Sequence, residues 1–155
     1  MIDTLDQELA PLTRELGVFA RRQAGWRALI ASLYGVGPVS ATAILAELGD
    51  ARRFSSSDDA VRDVTVHQSD SKRAPGHLSH LGPEVLRWAL FEAALSGARV
   101  GSPDHGYYLQ VAERIDHNRA CISLARKLCR RAYHILRELG DEALAPVEEA
   151  IAAAA

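Results

Sequence analysis

Trp26-Arg27-Ala28-Leu29-Ile30-Ala31-Ser32-Leu33-Tyr34-Gly35-Val36-Gly37-Pro38-Val39-Ser40-Ala41-Thr42-Ala43-Ile44-Leu45-Ala46-Glu47-Leu48 reads as two short helices joined by a tight turn. Trp26, Leu29, Ile30 and Leu33 recur at spacings of three and four before the turn, and Ala41, Ile44, Leu45 and Leu48 do so after it. That period belongs to a helix with one buried face, not to a strand. Gly35 and Gly37 allow positive φ where the chain reverses, and Pro38 suits the first turn of the second helix. Composition extends the reading to the whole chain. Its 155 residues are 48% hydrophobic but only 6% aromatic, with Ala, Leu and Arg recurring throughout, so a mainly α protein is expected.

Working outward, Ile2, Leu5, Leu9, Leu12, Leu16 and Phe19 form one apolar stripe on an amphipathic helix spanning residues 1–25. The stripe is under three heptads long and contains Pro11, so a kinked packing helix and a self-pairing helix are both open readings. After the hairpin, Gly49-Asp50 ends the second helix, and Ser55-Ser56-Ser57-Asp58-Asp59 supplies caps for a short third one. Residues 63–81 break the helical pattern with a short extended stretch at Val64–Val66 and a polar, basic loop. Helices resume at Pro83 and run to residue 140, where Gly140 caps a long helix with Cys121, Leu124, Ala125, Leu128, Ala132, Ile135, Leu136 and Leu139 on one side. Arg119, Arg126, Arg130 and Arg137 of that helix fall within roughly 40° of one another, forming a ridge opposite the apolar side. The expected division is therefore 1–25, a domain over 26–140, and an Ala-rich tail over 141–155 that frays as a helix beyond Pro146.

Charge is unevenly distributed. The chain carries a net −2, yet residues 62–137 hold 12 Lys/Arg against 7 Asp/Glu and all six histidines, a balance that suits a polyanion partner. Cys121 and Cys129 lie eight apart in an apolar helical pattern, which fits reduced core residues and no zinc or redox site. No run of about 18 apolar residues is present, and Asp3, Asp6 and Glu8 stand where a signal peptide carries basic charge. A cytoplasmic chain without membrane contact is expected.

Gly35-Val36-Gly37-Pro38 with Ala41 and its flanking helices resembles the helix-hairpin-helix module of DNA-binding and repair proteins. There the first amides of the second helix donate to a phosphate irrespective of base sequence, which makes Gly35 and Gly37 candidate DNA-binding positions. His67-Gln68-Ser69-Asp70-Ser71-Lys72-Arg73 and Gly76-His77-Leu78-Ser79, leading to Arg87, gather hydroxyls, imidazoles and cations before a helix N-terminus. Phosphoryl transfer uses such parts: a hydroxyl to attack, and cations to stabilise charge on the non-bridging oxygens. On the residues alone, a polar surface loop is the default reading of them.

Taken in order, Leu33-Tyr34-Gly35-Val36-Gly37-Pro38-Val39-Ser40-Ala41, Glu47-Leu48-Gly49-Asp50, Arg53-Phe54, His67-Gln68-Ser69, Arg73, Gly76-His77-Leu78-Ser79, Gly82-Pro83 and Leu86-Arg87 resemble the C-terminal domain of the IS-one-ten family of insertion-sequence transposases. The resemblance runs from about residue 26 to 140. It implies that Ser69 is the nucleophile that forms a covalent phosphoserine link to DNA, with Ser71 and Ser79 as fallbacks. It also implies that Lys72, Arg73, His77, Ser79, Arg87, Arg126 and Arg130 contact DNA. In such proteins carboxylates of a separate RuvC-like N-terminal domain hold divalent metal, and a guide RNA directs target choice. This chain begins within what corresponds to the connecting helix, so no metal or other cofactor is expected in it, and it is not expected to cut DNA alone. Val61-Arg62-Asp63-Val64 runs straight through where the family carries a few more residues with a Gly-Leu pair, which is expected to shift Ser69. The alternatives are a non-catalytic module docking on full-length transposase, or on itself, through the N-terminal helix, and a decayed remnant.

Overall fold

The computed structural model describes residues 2–64 and 83–146, and over them the helical expectation holds. Seven α-helices follow one another as α1 (Ile2–Arg22), α2 (Ala24–Ser32), α3 (Pro38–Leu48), α4 (Ser57–Val64), α5 (Glu84–Gly97), α6 (His105–Ala112) and α7 (His117–Leu139), with 3-10 turns at Ala51–Arg53 and Gly140–Leu144. No strand occurs among the described residues; one isolated antiparallel bridge pairs Gln23 with Pro146. The extended stretch expected at Val64–Val66 begins as helix, since α4 continues through Val64. The rest of that stretch and the tail beyond Pro146 lie outside the described residues.

The long helix α7 is the hub, packing against α5, α4, α6 and α2. Its buried side carries Ala120, Cys121, Leu124, Ala125, Leu128, Cys129, Ala132, Tyr133 and Leu136. Both cysteines are buried and neither is in a disulfide, as expected of reduced core residues. Helix α5 offers Leu86 and Leu90 together with the small residues Ala89, Ala93, Ala94 and Gly97. That small seam lets α5 sit close between α3 and α7; a Cβ at Gly97 would lie 3.0 Å from Leu124 Cδ2. Asp116 caps α7 by accepting from the Arg119 amide, and Gly140 ends it with φ +55°. Helix α1 is continuous through Pro11 and reaches the core only near its end, where Ala20 is buried; Leu5, Leu9, Leu12, Leu16 and Phe19 are each more than half exposed.

One ion cluster ties α6 to α7. The Asp104 side chain, 3% exposed, accepts from Lys127 Nζ at 2.9 Å and Arg131 NH1 at 2.7 Å, while its own amide donates to Ser102 Oγ at 3.1 Å. Burial pushes the Asp104 carboxyl up, but the hydrogen bonds and charges of Lys127 and Arg131 outweigh it and hold it below its ordinary 3.8. Breaking a buried pair strands the remaining charges, so Asp104→Ala is expected to cost about 2 kcal/mol, less than a wholly buried pair because both cations reach solvent. Because the folded value is depressed, this stabilisation is fully present above the ordinary carboxylate value and lost as pH falls below it. The gap between parent and variant in urea unfolding should therefore begin to narrow below about pH 4 and shrink further as pH falls through the depressed folded value; a gap unchanged at acid pH would show that the ion pairs are not its source.

Candidate nucleic-acid interface

The hairpin quoted at the outset forms, but its two glycines do different work. Gly35 has φ +82°, and a Cβ there would meet Ala93 O at 2.6 Å and Ser96 Cβ at 2.8 Å on α5. It faces inward. Gly37 is the N-cap of α3 with φ −90° and ψ −179°, ordinary extended backbone, and a Cβ on it would meet nothing within 4 Å. The expectation that both glycines serve positive φ is therefore corrected: one residue makes the turn and the close approach, the other opens the helix end. Trp26 Nε1 donates to Pro38 O at 3.2 Å and to Thr42 Oγ1 at 3.1 Å, latching the hairpin shut. No side chain caps α3 and its first turn holds no acid, so its leading amides carry partial positive charge with nothing in the sequence to offset it.

The ridge on α7 is present as a helical face, and the structure sorts its charges. Lys127 and Arg131 are committed to buried Asp104. Arg119 pairs with Asp116 at 3.3 Å, and Arg137 NH1 bonds Tyr133 Oη while its guanidinium lies over that ring. Arg130 donates through both Nε and NH2 to Asp58 Oδ1, at 3.0 and 2.9 Å. Arg126 is half-buried, and its Nε is buried without a hydrogen-bond partner among the described residues.

Helix α4 joins this ridge to the basic loop. Arg130 meets Asp58 and Cys129 Sγ reaches Ala60 O at 3.9 Å. Asp58 and Ala60 of α4 thus pack against Arg130 and Cys129 of α7. Ser69, Lys72, Arg73, His77 and Ser79 lie outside the described residues. Ser69 is five positions beyond Val64, a stretch that spans at most about 18 Å when fully extended. Arg87 is half-buried in the first turn of α5. No hydrogen bond or ion pair among the described residues joins the hairpin at Gly37 to Arg126 or Arg130.

Sequence reading missed the carboxylates that select among the cations. Asp58 lies 72 residues from Arg130 and Asp104 lies 27 from Arg131, separations at which no local pattern signals a pair. Among the described residues no group of three or more His, Cys, Asp or Glu converges as a metal site, and the buried acid Asp104 is occupied by its two cations. The described acids therefore do not fit the divalent metal that the family resemblance implies. No helix among the described residues is long and apolar enough to cross a membrane.

Among the described residues the chain is a mainly helical domain built on the hub helix α7. Residues 27–109 match the Transposase IS116/IS110/IS902 family, and since that is more than half of its length, the chain belongs to this family. It is also 27% identical over 143 residues to a protein of Pseudomonas aeruginosa described as a probable family 20 transposase. That alignment takes in 87% of this chain and 42% of the relative, so the chain spans less than half the length of that protein. No solved structure matches it.

Proposed function

We propose that this chain is the DNA-handling, C-terminal part of an insertion-sequence transposase, with residues 26–140 as that domain and residues 1–25 as its connecting helix. It grips the backbone of DNA, or of a guide RNA–DNA duplex, through the α3 N-terminus at Gly37 and the α7 ridge at Arg126 and Arg130. Lys72, Arg73, His77, Ser79 and Arg87 extend the grip, and Ser69 is the candidate nucleophile. The observation that supports this reading is the packing of α4, the last described helix before the serine-bearing segment, against Cys129 and Arg130 of α7.

A grip made through phosphates releases counterions, so binding weakens steeply with salt, by close to one logarithmic unit of slope per contact. Arg126→Ala is expected to reduce that slope by about one and affinity severalfold, equally for unrelated duplex sequences. Fluorescence anisotropy on a labelled 30-base-pair duplex at rising salt checks it, and an affinity indifferent to ionic strength would discard the reading.

A second reading, in which the chain docks on full-length transposase or a second copy, is favoured by the exposed stripe of α1. Its end borders a groove of about 330 Å³ lined by Leu16, Phe19, Gln23, Thr42, Leu45 and Leu144. If this stripe self-associates, light scattering will show a mass that rises with concentration and falls to one chain in Leu9→Glu/Leu16→Glu. A monomeric parent that also fails to co-purify with full-length transposase removes the idea.

A further inference from the structure

We propose that Asp58 is a built-in competitor of phosphate for Arg130, a carboxylate that occupies the arginine until a polynucleotide backbone displaces it. This rests on the reading of the α7 ridge as the polynucleotide face. Two acids treat the cations of α7 in opposite ways. Asp104 is buried against Lys127 and Arg131 and holds them permanently as part of the core. Asp58 is 66% exposed and comes from another helix, yet Arg130 turns both Nε and NH2 onto its single Oδ1 atom.

Nε and NH2 are also the donors that a guanidinium turns on a phosphate, there onto two of its oxygens. The carboxylate therefore preshapes the arginine for its ligand. Exposed ion pairs of this kind are weak and screened by salt, whereas a duplex presents one negative charge about every 1.7 Å of its axis. Exchange costs little on the acid's side as well. Asp58 stands in the first turn of α4, where helix amides favour a carboxylate whether or not Arg130 is present. The remaining acid of that turn, Asp59, is engaged by Ser55 and Arg62.

The test measures duplex affinity by anisotropy on the full chain, using a labelled 30-base-pair DNA of arbitrary sequence. Asp58→Asn is expected to tighten binding about fivefold, the scale of a surface ion pair, and Arg130→Ala to weaken it by a similar factor. In the Arg130→Ala background, adding Asp58→Asn should restore almost nothing, because the acid then has no arginine to occupy. Glu138→Gln removes an exposed carboxylate about 80° round α7 from Arg130 and controls for net charge. A gain matched by Glu138→Gln, or one that persists undiminished without Arg130, overturns the competitor role and leaves general electrostatics. If the parent binds duplex in a salt-dependent way but Asp58→Asn equals it, this inference fails alone. A parent that binds no duplex sinks both it and the reading beneath it.

Discussion

Gly35→Ala is expected to lower stability by about 3 kcal/mol, a sum of two penalties that act at one Cβ. The first is conformational: φ +82° lies where an L side chain crowds its own backbone. The second is packing, since the added carbon would sit 2.6 Å from Ala93 O and 2.8 Å from Ser96 Cβ. Neither neighbour is the free end of a long side chain. Relief must come from moving the hairpin off α5, which would also disturb the buried Leu33 and Val36 beside the turn. For a chain of this size the melting temperature should fall by roughly 6–12 °C.

Gly37→Ala supplies the contrast. Its Cβ meets open space and its φ is ordinary, so the loss should be about 0.5 kcal/mol, that of a poorer N-cap. A methyl there would nevertheless stand at the amides offered to phosphate, so duplex affinity should drop severalfold at nearly unchanged stability. Urea titration and anisotropy on the same two variants separate the roles. Gly35→Ala within 1 kcal/mol of the parent would contradict the packing account, and Gly37→Ala with full affinity would remove the α3 amides from the interface.

The fold was legible where a local signal sufficed. The hairpin, the Gly49 and Gly140 helix ends and the apolar side of α7 all follow from period and capping chemistry within a few turns. What the sequence hid is long-range. Gly25 looks like any helical glycine, yet a Cβ there would meet Ala143 O at 2.7 Å, a partner more than a hundred residues away. Likewise the arginine ridge was readable as a helical face, but not which of its charges is spent: Asp58 and Asp104 decide that, and only folding brings them to α7. The candidate nucleophile rests on the family resemblance and on chain length, because the residues around it lie outside the described structure.

Ser69→Ala is expected to abolish covalent protein–DNA adduct while leaving salt-dependent duplex binding intact. In the proposed step the Ser69 hydroxyl oxygen bonds to phosphorus, one bridging P–O bond of the DNA breaks, and the departing sugar oxygen takes up a proton as the hydroxyl gives one up. Alanine removes the only atom that forms the new bond. The proposed grip does not depend on that atom, since Gly37 is the N-cap of α3 and Arg126 and Arg130 lie on α7. The comparison requires an acidic metal-binding domain supplied in trans, divalent metal, guide RNA and element-end DNA, with adduct scored by its retarded band in denaturing gels. Ser71→Ala and Ser79→Ala should retain the adduct. Even the parent is expected to react slowly, because α4 continues as helix through Val64 where the family resemblance implies a few more residues, and a displacement of about 1 Å can cost on the order of a hundredfold in rate. Restoring a Gly-Leu-containing insertion after Arg62 should then raise the parent's adduct yield and leave Ser69→Ala at zero. Equal adduct in parent and Ser69→Ala would transfer the chemistry to another hydroxyl, with Ser71 the first to examine.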